Sequence, residues 1–522
     1  MSGTNIQMAL LQDALGQVLA DPVCAHRWHR LRAVWSGVTD NAAKQRLLNI
    51  LETLPKGPWR ADVMRFTFLH GVTGSAHHAS SAAARLLEEN SVDPDRLAAF
   101  MAYEWLNNIQ GASGGGDFVA ALASARLPEM SARITRHLVP LLPKKLVPRV
   151  PERIQRVAVV MPYLGNLLHT PSVMALDNCA ILARLGYQTR VFSCQELVLS
   201  DVAHFRGDGN HPLLPPLDLA GWAGMCPPGT GLNISDSRFS MVWRWRGMLD
   251  QLAEFDPDIV MLVGLYSHLA AVLHGVRPVV GLSTHTVPPL SPVDVWLTAD
   301  KATAIQNVWG AALPSPAPHY HPYRVRHPKG PWQVSRAELD LPENAVVWVT
   351  SGFRLESEVS GAWATRMLEL LHRHPDVVWL LLGGNGNVPP ALAGAATGRL
   401  RAVSTRQDAV GVVGLCDIYV NPPRMGGGFS VAEAMAEGLP VVAFAGSDGG
   451  HKLGDDAVTG MEGYCALLEE LVKDAGLRAD LGCRLQTRFA ESLDLESSGP
   501  SLRAACELAV AHSRERLTKA VF

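Results

Sequence analysis

The spacing of apolar residues changes character twice along the chain. Up to about residue 150 they recur at three- and four-residue intervals, in 8–20, 28–53, 80–105 and 117–142, the period of helices that bury one stripe. Gly, Ser and Pro breaks separate these stretches, and Pro143, Pro148 and Pro151 among Lys and Arg then mark a linker. From 154 onward, short apolar runs alternate with helical patterns. Val157–Met161 reads as a buried strand, followed by a loop from Tyr163 to Pro171, a helix through Leu185 and a strand over Gly186–Ser193. Strands recur at Asp258–Gly264, Pro278–His285 and Val293–Thr298, the rhythm of βαβ units on a parallel sheet. Six prolines between 314 and 331 exclude a helix from 313–333, which reads as an interdomain connection. A second set then begins, with strands at Ala345–Thr350, Val377–Gly384, Asp417–Val420 and Pro440–Phe444 and helices at 361–373, 461–490 and 500–518.

The pattern predicts an all-helical domain over 1–150, one α/β domain over 154–320, a second over 335–495, and a C-terminal helix over 496–522. The fold class is therefore α/β: two tandem Rossmann-like domains behind an all-α N-terminal domain. A cleft is expected where the carboxyl ends of the two sheets face each other. In the helical part, Trp28, Leu31 and Trp35, then Ala43, Leu47 and Pro55, loosely follow the large-residue pattern of tetratricopeptide repeats; with one degenerate match, an unrelated helical domain is the preferred reading.

Composition narrows the class of function. A 522-residue chain is too long for one core, and 48% hydrophobic with 18% charged residues is the balance of an ordinary globular protein. A net charge of −3 gives no footprint for nucleic acid. The eight cysteines include no C-x-x-C pair, which argues against a disulfide framework or zinc site and fits a reducing cytoplasm. No basic leader and no apolar run of about 20 residues stands out, so neither a signal peptide nor a transmembrane segment is expected.

The chemistry concentrates in 421–443, N-P-P-R-M-G-G-G-F-S-V-A-E-A-M-A-E-G-L-P-V-V-A. Gly426, Gly427 and Gly428 open a helix whose free N–H groups and dipole favour an anion, and glycine lets backbone approach it closely. Glu433 lies too deep in that helix to cap it and is placed to accept hydrogen bonds from a polyol. Together they suggest a nucleotide-sugar site.

This segment resembles the C-terminal donor signature of the retaining GT-B glycosyltransferases, whose usual form is E-x-F-G-x-x-x-x-E-A-M-A-x-G-x-P-V-V. The resemblance runs from about 155 to 515 and leaves the helical third outside it. It implies a donor-binding set of Gly165, Arg354, Arg424, Gly426, Gly427, Gly428, Phe429, Ser430 and Glu433. Catalytic roles fall to His285, Arg354 and Glu433, and His268 and His169 stand on the acceptor side. Arg354, in G-F-R-L, matches the family's diphosphate arginine; the alternative for it is a surface ion pair with Glu356 or Glu358. The lysine expected about five residues on is absent, with Val359 near its place, and Arg424 or Lys452 is then left to supply the second cation. His285, in S-T-H-T, matches a histidine that reaches the donor sugar across the cleft.

Met425 stands where the family carries a glutamate that contacts the donor sugar. That leaves the sugar and the stereochemical outcome open.

The function so implied is transfer of a hexose from a nucleoside diphosphate sugar, with UDP the expected nucleotide, to a protein or glycan acceptor. No D-x-D pair stands at a strand end with the right surroundings for a metal and Asp455-Asp456 is adjacent rather than spaced, so metal independence is expected and no separate cofactor. The alternatives are a nucleotide-sugar epimerase on the same fold and a decayed, non-catalytic interaction protein.

Overall fold

The computed structural model describes residues 3–111, 115–167, 169–198, 217–285, 287–299, 308–327, 330, 332–393, 398–424 and 428–519. The helical region begins with Gly3–Ala20, Ala25–Gly37, Asn41–Thr53, Trp59–Thr73 and Ala76–Glu88 and continues with Pro94–Gly111, Gly115–Ser124 and Leu127–Leu138. Local causes of these boundaries are visible. The Asp40 side chain accepts from the N–H groups of Ala42 and Ala43 at 2.9 and 3.1 Å and starts Asn41–Thr53. The break between the last two helices falls at Arg126, whose φ is +55°. Trp28, Leu31, Ala43 and Leu47 share one buried cluster, which packs the first helices on Trp59–Thr73.

A seven-stranded parallel sheet follows, built from β1 (Arg156–Met161), β2 (Gln188–Ser193), β3 (Gly231–Ile234), β4 (Ile259–Val263), β5 (Val279–Leu282), β6 (Val295–Thr298) and β7 (Ala317–Tyr320). Its order is β3-β2-β1-β4-β5-β6-β7, with Val157 opposite Ile259 where β1 meets β4. A five-stranded parallel sheet contains β8 (Val346–Ser351), β9 (Val377–Leu382), β10 (Leu400–Val403), β11 (Ile418–Val420) and β12 (Val441–Val442), in the order β10-β9-β8-β11-β12. β4, β5, β6 and β9 are buried along their whole length, as strands covered on both faces require.

Two packing features cut across the sequence divisions. Phe100, Tyr103, Leu127, Ile134 and Leu138 of the helical region lie in one continuous core with Val160, Trp245, Leu249, Leu262 and Leu273 of the first α/β domain. The Asp95 carboxylate also accepts from the N–H groups of Met241 and Val242, capping helix Met241–Phe255 across that seam. At the other end, helix Gly499–Lys519 returns to the first α/β domain, where Leu502, Ala505, Cys506 and Ala509 pack with Val157, Val159 and Ile181. Arg516 fixes it there through Asp294 at 2.8 Å. Among the described residues no helix is long and apolar enough to cross a membrane.

Candidate functional site

Strand order reverses between β1 and β4 in the first sheet and between β8 and β11 in the second. In open parallel sheets, ligands bind at such reversals, off the carboxyl ends of the strands. The residues singled out in the sequence lie around these two points. Gly165 and His169 follow β1, His268 follows β4, His285 follows β5, and Arg354 follows β8. Arg424, Gly428, Phe429, Ser430 and Glu433 follow β11. Met425, Gly426 and Gly427 lie outside the described residues.

In the second sheet, Arg424 is only 6% exposed and its donors are committed to the protein. Its Nε donates to Asn421 Oδ1 at 3.1 Å and its Nη1 to Glu358 Oε2 at 2.7 Å. Its Nη2 reaches Ser351 O at 2.9 Å, Tyr419 OH at 3.2 Å and Ser430 Oγ at 3.3 Å. Arg424 therefore fastens the loop after β11 to the end of β8 and has little left for a ligand. Arg354, with 42% of its side chain exposed, binds the other Glu358 oxygen at 2.9 Å, so one carboxylate holds two guanidinium groups. Arg424→Lys keeps the charge but loses the planar fork. It is expected to lower the unfolding free energy by about 2 kcal/mol, because buried acceptors lose their donor. A urea midpoint equal to that of the wild type would show that the network contributes nothing.

The helix starting at Gly428, Gly428–Ala436, carries the other half of this site. A Cβ on Gly428 would lie 3.2 Å from Lys452 Cε and 3.3 Å from Asp448 O, so a side chain there would crowd the lysine. Lys452 is 8% exposed and makes no ion pair among the described residues. Burial first, and then Arg324 and Arg488, press its ammonium down to about 8, with Asp448 opposing. Arg324 is also buried, and its hydrogen bonds go to the carbonyls of His321, Tyr323 and Leu297 rather than to a carboxylate. The Glu433 side chain, five residues into the helix, has no hydrogen bond or ion pair among the described residues; desolvation pushes its carboxyl up to about 7.

His285 brings the two sheets into one site. Its ring senses both Asp448 and Arg354 of the second domain and, being buried, titrates down at about 4, so it is neutral near pH 7. Its Nε2 is buried without a partner, and Phe118 of the helical region packs on it at 4.9 Å. Phe429 packs against the cores of both α/β domains.

The first-sheet residues differ in accessibility. The Gly165 N–H donates to Ser172 Oγ at 3.0 Å, so it is not open to a phosphate, and the Gly165 carbonyl accepts from Trp222 Nε1 at 2.9 Å. A Cβ there would meet His169 Cβ at 2.6 Å, which accounts for the glycine. His169 is held by Ser172 through Nδ1 at 2.6 Å. His268 is enclosed by Trp245 and Tyr266, both ring nitrogens lack partners, and burial presses it down to about 3. Nearby, the buried Glu196 accepts from Trp245 Nε1 and from the N–H groups of His268 and Leu269, joining the loops after β2 and β4.

Sequence reasoning named Glu358 only as an alternative ion-pair partner of Arg354, a pair the structure contains, and did not single out Tyr419, Asp448, Arg324 or Phe118. Asp448 stands in G-S-D-G-G-H-K, which the structure resolves as helix Asp448–Leu453 packed on Gly428–Ala436. The others carry no local signal, because their roles come from contacts between distant segments.

No protein-family model matches this chain, and no curated protein sequence does. Solved structures do. A mutant of the Thermobaculum terrenum O-GlcNAc transferase aligns with 99% of this chain and 100% of its own, at 15% identity and a TM-score of 0.55. WaaG, a glycosyltransferase of lipopolysaccharide biosynthesis, aligns with 67% of this chain and 99% of its own at 14% identity and a TM-score of 0.40. SnogD from Streptomyces nogalater aligns with 68% of this chain and 100% of its own, at 17% identity and a TM-score of 0.39. Likeness at such identity speaks for the fold, and the first match carries it: two parallel-sheet α/β domains of GT-B architecture behind a helical N-terminal region.

Proposed function

We propose that this protein is a glycosyltransferase that moves a hexose from a nucleoside diphosphate sugar, UDP being the expected nucleotide, to a protein or glycan acceptor without a metal ion. One observation carries the reading. Lys452, a buried cation, stands at the start of Gly428–Ala436, and the Glu433 carboxylate lies five residues along the same helix; neither has an ion pair among the described residues. Lys452 is buried and Glu433 half-buried, and a charge drawn out of water without a partner is costly unless a ligand completes it. A diphosphate satisfies the lysine and the helix N-terminus, and the hydroxyls of a ribose satisfy the carboxylate.

In the proposed reaction the bond from the sugar C1 to the diphosphate oxygen breaks, and its electron pair leaves with the phosphate. Lys452, supported by Arg324, offsets the charge that develops there, in the role the resemblance assigns to a lysine this chain lacks. The acceptor oxygen forms the new bond to C1, and its proton passes to the departing diphosphate oxygen. His285, neutral at pH 7, is positioned to hydrogen-bond the sugar or the incoming hydroxyl.

Lys452→Met tests the reading. UDP affinity measured by calorimetry is expected to fall about tenfold, the cost of one hydrogen bond to a charged group. Unchanged affinity would remove Lys452 from the site. Release of UDP from UDP-glucose separates transfer from epimerisation, which instead yields a C2-inverted sugar nucleotide, and from a decayed protein, which yields neither.

A further inference from the structure

The turn that carries Lys452 also carries a carboxylate for which the nucleotide has no use. Asp448 opens helix Asp448–Leu453, one turn before Lys452. Ser447 fixes that start: its Oγ accepts from the Gly450 N–H at 3.0 Å and donates to the Phe444 carbonyl at 2.7 Å. Gly449 and Gly450 let the helix lie flush on its neighbours. A Cβ on Gly449 would meet Asn421 Nδ2 at 2.7 Å, and one on Gly450 would run into the Phe444 carbonyl. On the other side, a Cβ on Gly428 would lie 3.5 Å from Asp448 Cβ, which puts Asp448 beside the start of Gly428–Ala436.

Asp448 also reaches the first domain. Burial presses His285, Arg324 and Lys452 down, and in each case the Asp448 charge acts against it, so the carboxylate lies near all three. It is half-buried, and its side chain has no hydrogen bond or ion pair among the described residues. Glu358, by contrast, spends both oxygens on Arg424 and Arg354. With the diphosphate at Lys452 and His285 meeting the sugar, the sugar ring occupies the gap between them, and Asp448 borders that gap. A carboxylate offers two acceptor oxygens, which match two adjacent sugar hydroxyls, and hydrogen bonds to a charged acceptor are the stronger kind.

Resting on the glycosyl-transfer reading, we propose that Asp448 accepts hydrogen bonds from hydroxyls of the donor's sugar and thereby selects the sugar. A hydroxyl moved by epimerisation, or covered by a substituent, leaves the carboxylate drawn out of water without its partner, so the wrong sugar is disfavoured. An acid at this position can also favour the first turn of its helix, or pair with Lys452 four residues on. Neither of those roles depends on the sugar.

The full chain can be titrated calorimetrically with UDP, UDP-glucose, UDP-galactose and UDP-N-acetylglucosamine. The wild type is expected to prefer one of the three sugars. In Asp448→Asn the affinity for that donor should fall about tenfold and the preference should narrow. Affinity for UDP itself should stay equal or rise, because a negative charge leaves the surroundings of the diphosphate, and retained UDP binding shows that the variant is folded. Asp448→Ala, which removes the acceptor altogether, should change the donors in the same direction. An unchanged order of sugars in both variants would overturn the proposal. So would one common factor of change for UDP and all three donors, loss of UDP binding in both variants, or a wild type that does not distinguish the sugars. Each of these leaves the nucleotide site standing, whereas a wild type that binds neither UDP nor any of its sugars would sink the glycosyl-transfer reading together with this one.

Discussion

A chain beginning at residue 152 is expected to yield no folded protein. The helical region packs into the first α/β domain: Phe100, Tyr103, Leu127, Ile134 and Leu138 are fully buried in the core that holds Trp245, Leu249, Leu262 and Leu273. Deleting the helices would expose that face of the sheet domain and leave Met241–Phe255 without its Asp95 cap. Exposing a large apolar side chain costs roughly 1.5–3 kcal/mol, and half a dozen of them match the whole stability of about 5–15 kcal/mol that a domain has. A cut at residue 56 should behave differently. Its main loss is the separate cluster of Leu11, Trp28, Leu31 and Leu47, while the core shared with the sheet stays covered. Expression of the two truncated chains, followed by circular dichroism and gel filtration, checks this directly. A soluble, cooperatively melting product from residue 152 would show that the shared core is dispensable and that the helical region is a free module after all.

The same packing marks how far the sequence can be read. The central strands are legible because burial on both faces writes a continuous apolar run, as in Val157–Met161 and Val377–Leu382. Three strands without such a run, β3, β7 and β10, are not, and all lie at sheet edges. Their residues are at most half-buried or alternate with exposed ones, and β7 carries Pro318, which only an edge tolerates well. The C-terminal helix is visible as a helix, but its return to the first α/β domain depends on partners more than 300 residues earlier in the sequence, such as Val157 and Val159.

At the site, residue type alone leaves Arg424 and Lys452 as equal candidates for the second cation. Partners separate them, since Arg424 is held by Glu358, Asn421 and Ser351 whereas Lys452 has no ion pair among the described residues.

Glu433→Gln should stabilise the protein and weaken its hold on nucleotide at once. Burial raises the Glu433 carboxyl from 4.5 to about 7, so the folded state holds the proton more tightly than the unfolded chain does. For an acid shifted in this direction, stability falls as pH rises from about 4.5 through about 7 and stays lowered above. The amide never ionises and escapes that loss. Because the group is only half-buried, the gain expected at pH 8 is on the order of 2 kcal/mol rather than the full linkage value. It should vanish near pH 4.5.

Binding moves the other way. The carboxylate accepts hydrogen bonds from ribose hydroxyls more strongly than an amide does, and its loss should cost UDP roughly ten- to a hundredfold in affinity at pH 8. In the wild type, UDP affinity should rise through about pH 7 as Glu433 ionises and fall above about pH 8 as Lys452 loses its proton. In Glu433→Gln the acid limb disappears and the alkaline limb remains. Thermal melts at pH 5 and pH 8 and calorimetric UDP titrations across the same range supply both readouts. A variant that melts lower than wild type at pH 8 would mark Glu433 as a structural residue. One that melts higher but binds UDP unchanged would leave its buried carboxylate without the ligand proposed for it.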